Sequence, residues 1–331
     1  MTSPTTHKER LGTDLSVRRF AGVADLLPDV DNPSPLVRVN RVLADRDLEL
    51  LLKLEWLNPF GSVKDRTAAY LIDGLARRGE LEGRELVEAS SGNTAIALAA
   101  LAALSGTRLT TTIPDGVPDE KKLILRMLGA EVWETSDDLC PVDNPRDGAI
   151  ALARALAASD GGGRFAATRQ YESEDNVAAH YETTGPEVWR QTAGRVDWFV
   201  AAYGTTGTVV GTGRYLKERD PSIRIVGVEP EPGHRLPGMR SFAESSVPEI
   251  FDPEVVDHRV IVNDDDAYRV TKELWRQEGL MVGPSTGAVV HAVSTLPTRP
   301  GDVVVAISAD SGIKYTSYFE DILGEEGKPQ I

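Results

Sequence analysis

Glu85-Leu86-Val87-Glu88-Ala89-Ser90-Ser91-Gly92-Asn93-Thr94 is the stretch that decides the fold. Residues 85–89 read as a short strand, and the alanine- and leucine-rich run from Thr94 to Leu104 reads as a helix, with only Ser-Ser-Gly-Asn between them. A strand that turns straight into a helix is the repeating unit of a doubly wound sheet. In such folds ligands sit beyond the carboxyl ends of the strands, where helix N-termini offer unpaired N–H groups to anions. Hydroxyls, a side-chain amide and free backbone amides at one helix start suit a carboxylate. An ordinary Ser/Asn-rich cap fits the same residues.

The unit recurs along the chain. Apolar runs predict strands at Leu48–Leu54, Arg108–Ile113, Glu131–Trp133, Trp198–Tyr203, Arg224–Glu229, Arg259–Val262 and Val303–Ser308. Between them, helical patterns cover Val63–Arg78, Asp119–Leu128, Arg146–Ala158, Asn176–Thr192, Thr208–Glu218, Asp264–Glu278 and Ser285–Leu296. This alternation predicts an α/β fold of mainly parallel sheets flanked by helices. A length of 331 residues predicts two lobes, and Gly161-Gly162-Gly163 marks the boundary. Residues 1–20 are polar and are expected to be loosely ordered.

Two further loops repeat the first. Gly204-Thr205-Thr206-Gly207-Thr208 follows the strand at 198–203 and begins a helix. Its glycines allow close backbone approach and its threonines add donors, so a phosphate fits. No Gly-Lys-Ser/Thr follows, which excludes a Walker loop. Gly283-Pro284-Ser285-Thr286-Gly287-Ala288 is the third. Each loop alone also fits a plain turn without a ligand. Asn58-Pro59-Phe60-Gly61-Ser62-Val63-Lys64-Asp65-Arg66 opens a fourth helix, and Lys64 there opposes the helix dipole, a conflict that imine formation would remove.

Composition bounds the rest. Charged residues are 26% and hydrophobic ones 41%, as in globular proteins generally. A net charge of −15 argues against nucleic acid or an anionic membrane as partner. One cysteine, Cys140, excludes an intramolecular disulfide and a cysteine-based metal cluster, and no metal site is expected. There is no apolar run of membrane-spanning length and no signal-peptide core at the start, so a cytoplasmic location is expected.

Taken together, G-S-V-K-D-R, S-S-G-N-T, Gln170-Tyr171, T-T-G-P-E at 183–187, G-T-T-G-T, G-P-S-T-G-A and S-G-I-K-Y at 311–315 resemble the cysteine synthase and cystathionine β-synthase family of fold-type II pyridoxal-phosphate enzymes. The likeness runs from about Pro33 to about Ser317. It implies pyridoxal 5'-phosphate as cofactor, a homodimer, and an active site between two lobes. Residues 1–45 would pack on the larger lobe, 46–163 would form a smaller mobile lobe, and 164–331 would form the larger, phosphate-binding one. By the resemblance, Lys64 is the imine lysine and the base that takes the substrate's α-proton. Asn93 bonds the cofactor's phenolic oxygen, Gly204, Thr205, Thr206, Gly207 and Thr208 hold its phosphate, and Ser285 faces its ring nitrogen. Ser90, Ser91, Gly92, Thr94 and Gln170 bind the substrate carboxylate. A neutral hydroxyl at the ring nitrogen weakens the electron sink and favours β-elimination to an aminoacrylate, to which a nucleophile then adds.

The segment Leu236-Pro237-Gly238-Met239-Arg240-Ser241-Phe242 resembles that of members using O-phospho-L-serine, and Arg240 offers a bidentate fork to a phosphate dianion. The expected nucleophile is sulfide, thiosulfate or the thiocarboxylate of a sulfur-carrier protein. Amine nucleophiles giving diaminopropionate-type products, and serine or threonine dehydration, are the alternatives; Val63, Asp65 and Thr94 favour the synthase pattern over the dehydratase one. Lys314 and Arg169 lie near the site and could serve an anionic acceptor, but solvated surface roles are expected for both, and the stretch from Asp137 to Arg146 is expected to shape the acceptor entrance.

Overall fold

A computed structural model describes residues 18–115, 117, 119–135, 148–159 and 163–318. Expectations for the first 17 residues, for Gly161 and Gly162, and for Cys140 with the 137–146 stretch lie outside the described residues.

Two sheets organise the chain. The larger has six strands: β1 (Leu36–Arg38), β2 (Leu48–Leu54), β7 (Trp198–Ala202), β8 (Arg224–Pro230), β9 (His258–Val262) and β10 (Asp302–Ser308), ordered β1-β2-β10-β7-β8-β9. Its pairs are parallel except β1 with β2. The smaller has four parallel strands, β3 (Glu85–Ala89), β4 (Leu109–Pro114), β5 (Glu131–Thr135) and β6 (Phe165–Ala167), ordered β5-β4-β3-β6.

The sequence of β10, Asp302-Val303-Val304-Val305-Ala306-Ile307-Ser308, shows why it is central: it lacks polar alternation because both faces are covered. Val304 and Ala306 pack with Val289, Val290 and Val293 of helix α9 (Pro284–Thr295). Val305 and Ile307 point the other way, toward Val209, Val210 and Leu216 of α7 (Gly207–Arg219). The smaller sheet repeats this. Leu86 packs with Ala68, Ala69 and Ile72 of α1 (Lys64–Arg77) and Ala95 and Leu98 of α2 (Asn93–Ser105). Val87 packs with Phe165 and Ala153 of α4 (Ala149–Ala158). Helix α3 (Asp119–Met127) adds Leu125 to the same side as Leu86.

Three expectations need correction. The lobe boundaries move by one strand at each end: β2 pairs with β10, so the smaller sheet begins at β3, and β6 joins it after Gly163. Gly163 therefore precedes the last strand of the smaller sheet rather than closing that lobe. In the N-terminal segment, β1 extends the larger sheet, yet Leu27 joins the core of the smaller lobe. Finally, the single helix expected over 176–192 is broken into α5 (Glu174–Ala179), a π-helical segment at His180–Thr184, and α6 (Gly185–Gln191). Pro186 has no N–H to return to the preceding turn, and Thr183 donates its hydroxyl to the Ala179 carbonyl. Both loosen the helical ladder locally. Helix α8 (Asp264–Glu273) likewise ends in a π segment, Leu274–Glu278, closed by Gly279 at φ 69°.

A buried ion cluster ties β2 to α1 and α6. Arg66, two residues after Lys64, bonds Glu55 from Nε at 2.8 Å and Glu187 from Nη1 at 2.5 Å, and Lys53 meets Glu187 at 2.8 Å. All four side chains are fully buried. Burial alone would push Glu55 up; the adjacent Arg66 guanidinium outweighs it and holds the carboxyl down to about 2. Buried charges cost several kcal/mol each to desolvate, so the cluster's value lies in completeness. Glu187→Ala strips Lys53 of its ion partner and Arg66 of one of its two, and is expected to cost about 3–5 kcal/mol in urea unfolding. A loss below about 1 kcal/mol, the scale of an exposed pair, would contradict this account.

Candidate active site

Strand ends from both sheets open into one cavity of about 680 Å³. Ser90, Ser91, Gly92, Asn93 and Thr94 line it from the turn after β3, Lys64 from the start of α1, and Gln170 from the turn after β6. On the opposite side are Gly204, Thr205 and Thr208 after β7, Ser285 in the first turn of α9, and Arg240. Thr206 and Gly207 are buried behind this wall. Thr206 adopts φ 68°, a conformation rare outside glycine, and returns its hydroxyl to the Thr205 carbonyl at 2.6 Å. Gly207 sits against Asn176, where a Cβ would stand 2.2 Å from the amide oxygen.

Lys64 donates to Thr205 Oγ1 at 3.2 Å, and its backbone N–H reaches Ser62 Oγ at 3.2 Å. Burial lowers the amine to about 8, opposed by the carboxylates of Glu88 and Asp310. A neutral amine is the nucleophilic form, so this position is poised for carbonyl chemistry near neutral pH. Thr94 donates to Gln170 Oε1 at 2.7 Å, and Gln170 Nε2 donates to Glu88 at 2.9 Å, which links the loop after β3 to the one after β6. Asn93 is held from both ends: Nδ2 donates to Asp310 at 2.6 Å and Oδ1 accepts from Lys314 at 2.9 Å.

Several residues of this site escape a reading of the sequence. Lys314, expected at the surface, lines the cavity and also donates to the Phe60 carbonyl at 3.3 Å, because the turn after β10 folds back over α1. Arg169 is exposed. Asp310 lines the cavity and accepts from Tyr315; its Oδ1 is buried without a hydrogen-bond partner, and burial raises its carboxyl despite the bonds from Tyr315 and Asn93. Its signal was its place just beyond a strand end, the same place that drew attention to the other loops. Lys121 on α3 also reaches the cavity. Glu88, at the end of β3, is raised by burial and bonded by Thr168 and Gln170.

The donor set fits a phosphorylated carbonyl cofactor. Near one end is the N-terminus of α7 with hydroxyls and close-approaching glycines; a Cβ on Gly204 would stand 2.9 Å from the Gly238 carbonyl. Within the same cavity lie a lysine with a depressed basicity and an oriented amide. The family comparison agrees: the model of pyridoxal-phosphate-dependent enzymes matches residues 28–310, and the chain belongs to that family. Its relatives narrow the class. Cysteine synthase B of Salmonella typhimurium is 41% identical over 295 residues, which is 88% of this chain and 94% of the relative. Among solved structures, O-ureido-L-serine synthase superposes with a TM-score of 0.83 at 29% identity, covering 94% of this chain and 98% of that one. O-acetyl serine sulfhydrylase isoform 3 from Entamoeba histolytica gives 0.80 at 29% identity, covering 90% of each. The protein is a pyridoxal-phosphate-dependent β-replacement enzyme of the cysteine synthase type. No helix among the described residues is long and apolar enough to cross a membrane.

The Lys64 environment is testable directly. Carbon NMR of the ε position in lysine-labelled apoprotein is expected to show Lys64 titrating near 8, and Asp310→Asn should move it further down, because a charge that favours the ammonium is gone. An ordinary lysine value, or an upward shift in the variant, would contradict the assignment.

Proposed function

We propose that the enzyme replaces the β-substituent of O-phospho-L-serine with a sulfur nucleophile: sulfide, thiosulfate or a carrier thiocarboxylate. The observation that carries the substrate is the guanidinium of Arg240, which lines the same cavity as Lys64. It stacks over the Tyr171 ring at 4.4 Å, donates to the Ser246 carbonyl at 3.3 Å, and follows a backbone anchored to Tyr203 O at 2.9 Å. A planar cation held by stacking keeps its remaining N–H groups available for a phosphate dianion. In a chain of net charge −15, such a local cation is what draws an anionic substrate. Sulfur as nucleophile is supported by the likeness to the cysteine synthases.

The bound cofactor supplies the electron withdrawal that makes the α-proton acidic and the β-substituent labile. The chain supplies the rest. Lys64 would hold the cofactor at its carbonyl carbon through Nζ, and the same atom would hold and move the α-proton. Ser90, Ser91, Gly92, Thr94 and Gln170 would hold the substrate carboxylate, and Asn93 would hold the cofactor at its phenolic oxygen. Gly204 to Thr208 would hold the phosphate, and Ser285 would offer a neutral hydroxyl to the ring nitrogen. O-acetyl-L-serine is the second reading, favoured by the likeness to an O-acetyl serine sulfhydrylase.

Steady-state kinetics with both substrates and sulfide separate the two. The expected result is a higher kcat/KM for O-phospho-L-serine, reduced about tenfold or more by Arg240→Ala, with O-acetyl-L-serine turnover little changed. Preference for O-acetyl-L-serine in the wild type, or phosphoserine turnover indifferent to the substitution, would contradict it.

A further inference from the structure

Behind the threonine wall of the cavity lies a chain of buried polar groups that touches neither the cavity nor solvent. Asn176 on α5, Thr67 on α1, and His180 and Thr184 of the π-helical segment are all fully buried. The direction of every bond in this chain can be assigned from one fixed end. Asn176 Nδ2 lies 2.8 Å from the Gln170 carbonyl oxygen, which can only accept, so the amide nitrogen is the atom facing it. The same nitrogen donates to Thr205 Oγ1 at 2.9 Å. Asn176 Oδ1 therefore faces Thr67 Oγ1 at 3.1 Å, and Thr67 must donate its proton there. With its proton committed, Thr67 presents a lone pair to His180 Nε2 at 3.3 Å, so Nε2 must carry the imidazole hydrogen. His180 Nδ1 then accepts from the Thr184 hydroxyl at 2.9 Å. Burial, with the nearby cations of Arg66 and Lys64, lowers His180 to about 3, so the ring is neutral and has a single N–H.

The consequences fall on the cavity wall. His180 Nε2 is also 3.2 Å from Thr208 Oγ1, and as a donor it occupies an oxygen lone pair there. Thr205 Oγ1 accepts from both Asn176 and Lys64 Nζ. Each hydroxyl thus has an oxygen lone pair occupied from behind, by Asn176 at Thr205 and by His180 at Thr208, and its own proton left to give. Gly207 and Gly211 make room for this packing: a Cβ at Gly207 would stand 2.2 Å from Asn176 Oδ1, and one at Gly211 would stand 2.9 Å from His180 Cβ.

We propose that the Asn176–Thr67–His180 relay is a positioning device that orients the hydroxyl protons of Thr205 and Thr208 into the cavity, toward the phosphate of the cofactor. It rests on the reading of the 204–208 loop as the phosphate site. The opposite tautomer, with hydrogen on Nδ1, would turn Nε2 into an acceptor, draw the Thr208 proton backward and set two lone pairs against each other at Thr67. None of these relay residues reaches the reacting atoms. Their effect is on which anion the wall accepts.

Two measurements test this. Nitrogen NMR of histidine-labelled holoenzyme should show His180 with hydrogen on Nε2; hydrogen on Nδ1 would overturn the proposal, and this reading needs no variant to fold. Apoprotein titrations with pyridoxal 5'-phosphate and with pyridoxal, which lacks the phosphate, form the second. Thr67→Val should weaken pyridoxal 5'-phosphate binding about tenfold while leaving pyridoxal unchanged, and Thr67→Ser should restore it. Equal losses for both ligands, or no loss for either, would show a structural role only and overturn the relay. Wild-type protein that binds the two ligands alike would instead remove the phosphate site on which the relay depends.

Discussion

A guanidinium with no access to water must be neutralised where it stands, and much of this structure follows from where Arg66 stands. Its partners come from both sides: Glu55 directly follows β2, and Glu187 belongs to α6. Satisfying one side chain therefore fixes the first turn of α1 relative to the larger sheet and to the broken helix of residues 174–191. Lys64 precedes Arg66 by two residues and Thr67 follows it. The clamp thus sets the position of the amine in the cavity and of the hydroxyl behind the wall. A buried ion cluster contributes little net stability compared with apolar packing, but it admits few alternative geometries.

The same low-dielectric setting tunes the cavity. Four cationic side chains, Lys64, Lys121, Arg240 and Lys314, line it together with the Asp310 carboxyl, while Glu88 lies just behind. Burial pulls Lys64, Lys121 and Lys314 down and pushes Asp310 and Glu88 up. Lysines and carboxyls shifted toward each other exchange protons more readily than exposed ones. This suits a site where one amine serves as nucleophile and then as base. In a chain of net charge −15, these side chains give the cavity a lining rich in cations.

The sheet architecture was legible because parallel strands covered on both faces are written as unbroken apolar runs ending in turn residues. β2 and β3 have the bounds read from sequence, and β10 begins one residue earlier. β1 and β6, three residues each, carry too little pattern to be read. The loops at 90–94 and 204–208 stood out because each joins a strand to a helix through small hydroxyl residues or glycine, and the one at 283–288 because it opens a helix in the same way; the structure brings all three to one cavity. Lys314 was misread because nothing local records that the turn after β10 folds over α1. His180 and Asn176 were passed over for a related reason. Within a helical pattern a buried polar residue looks like a surface one, and only the packing of α5 and the π segment against α7 separates them.

The account turns on Lys64 being the amine that joins the cofactor, when two other lysines share its cavity. Borohydride reduction of the holoenzyme followed by peptide mapping tests this most directly. The pyridoxyl group is expected on the peptide containing Lys64 alone. Its recovery on Lys314 or Lys121 would contradict the account.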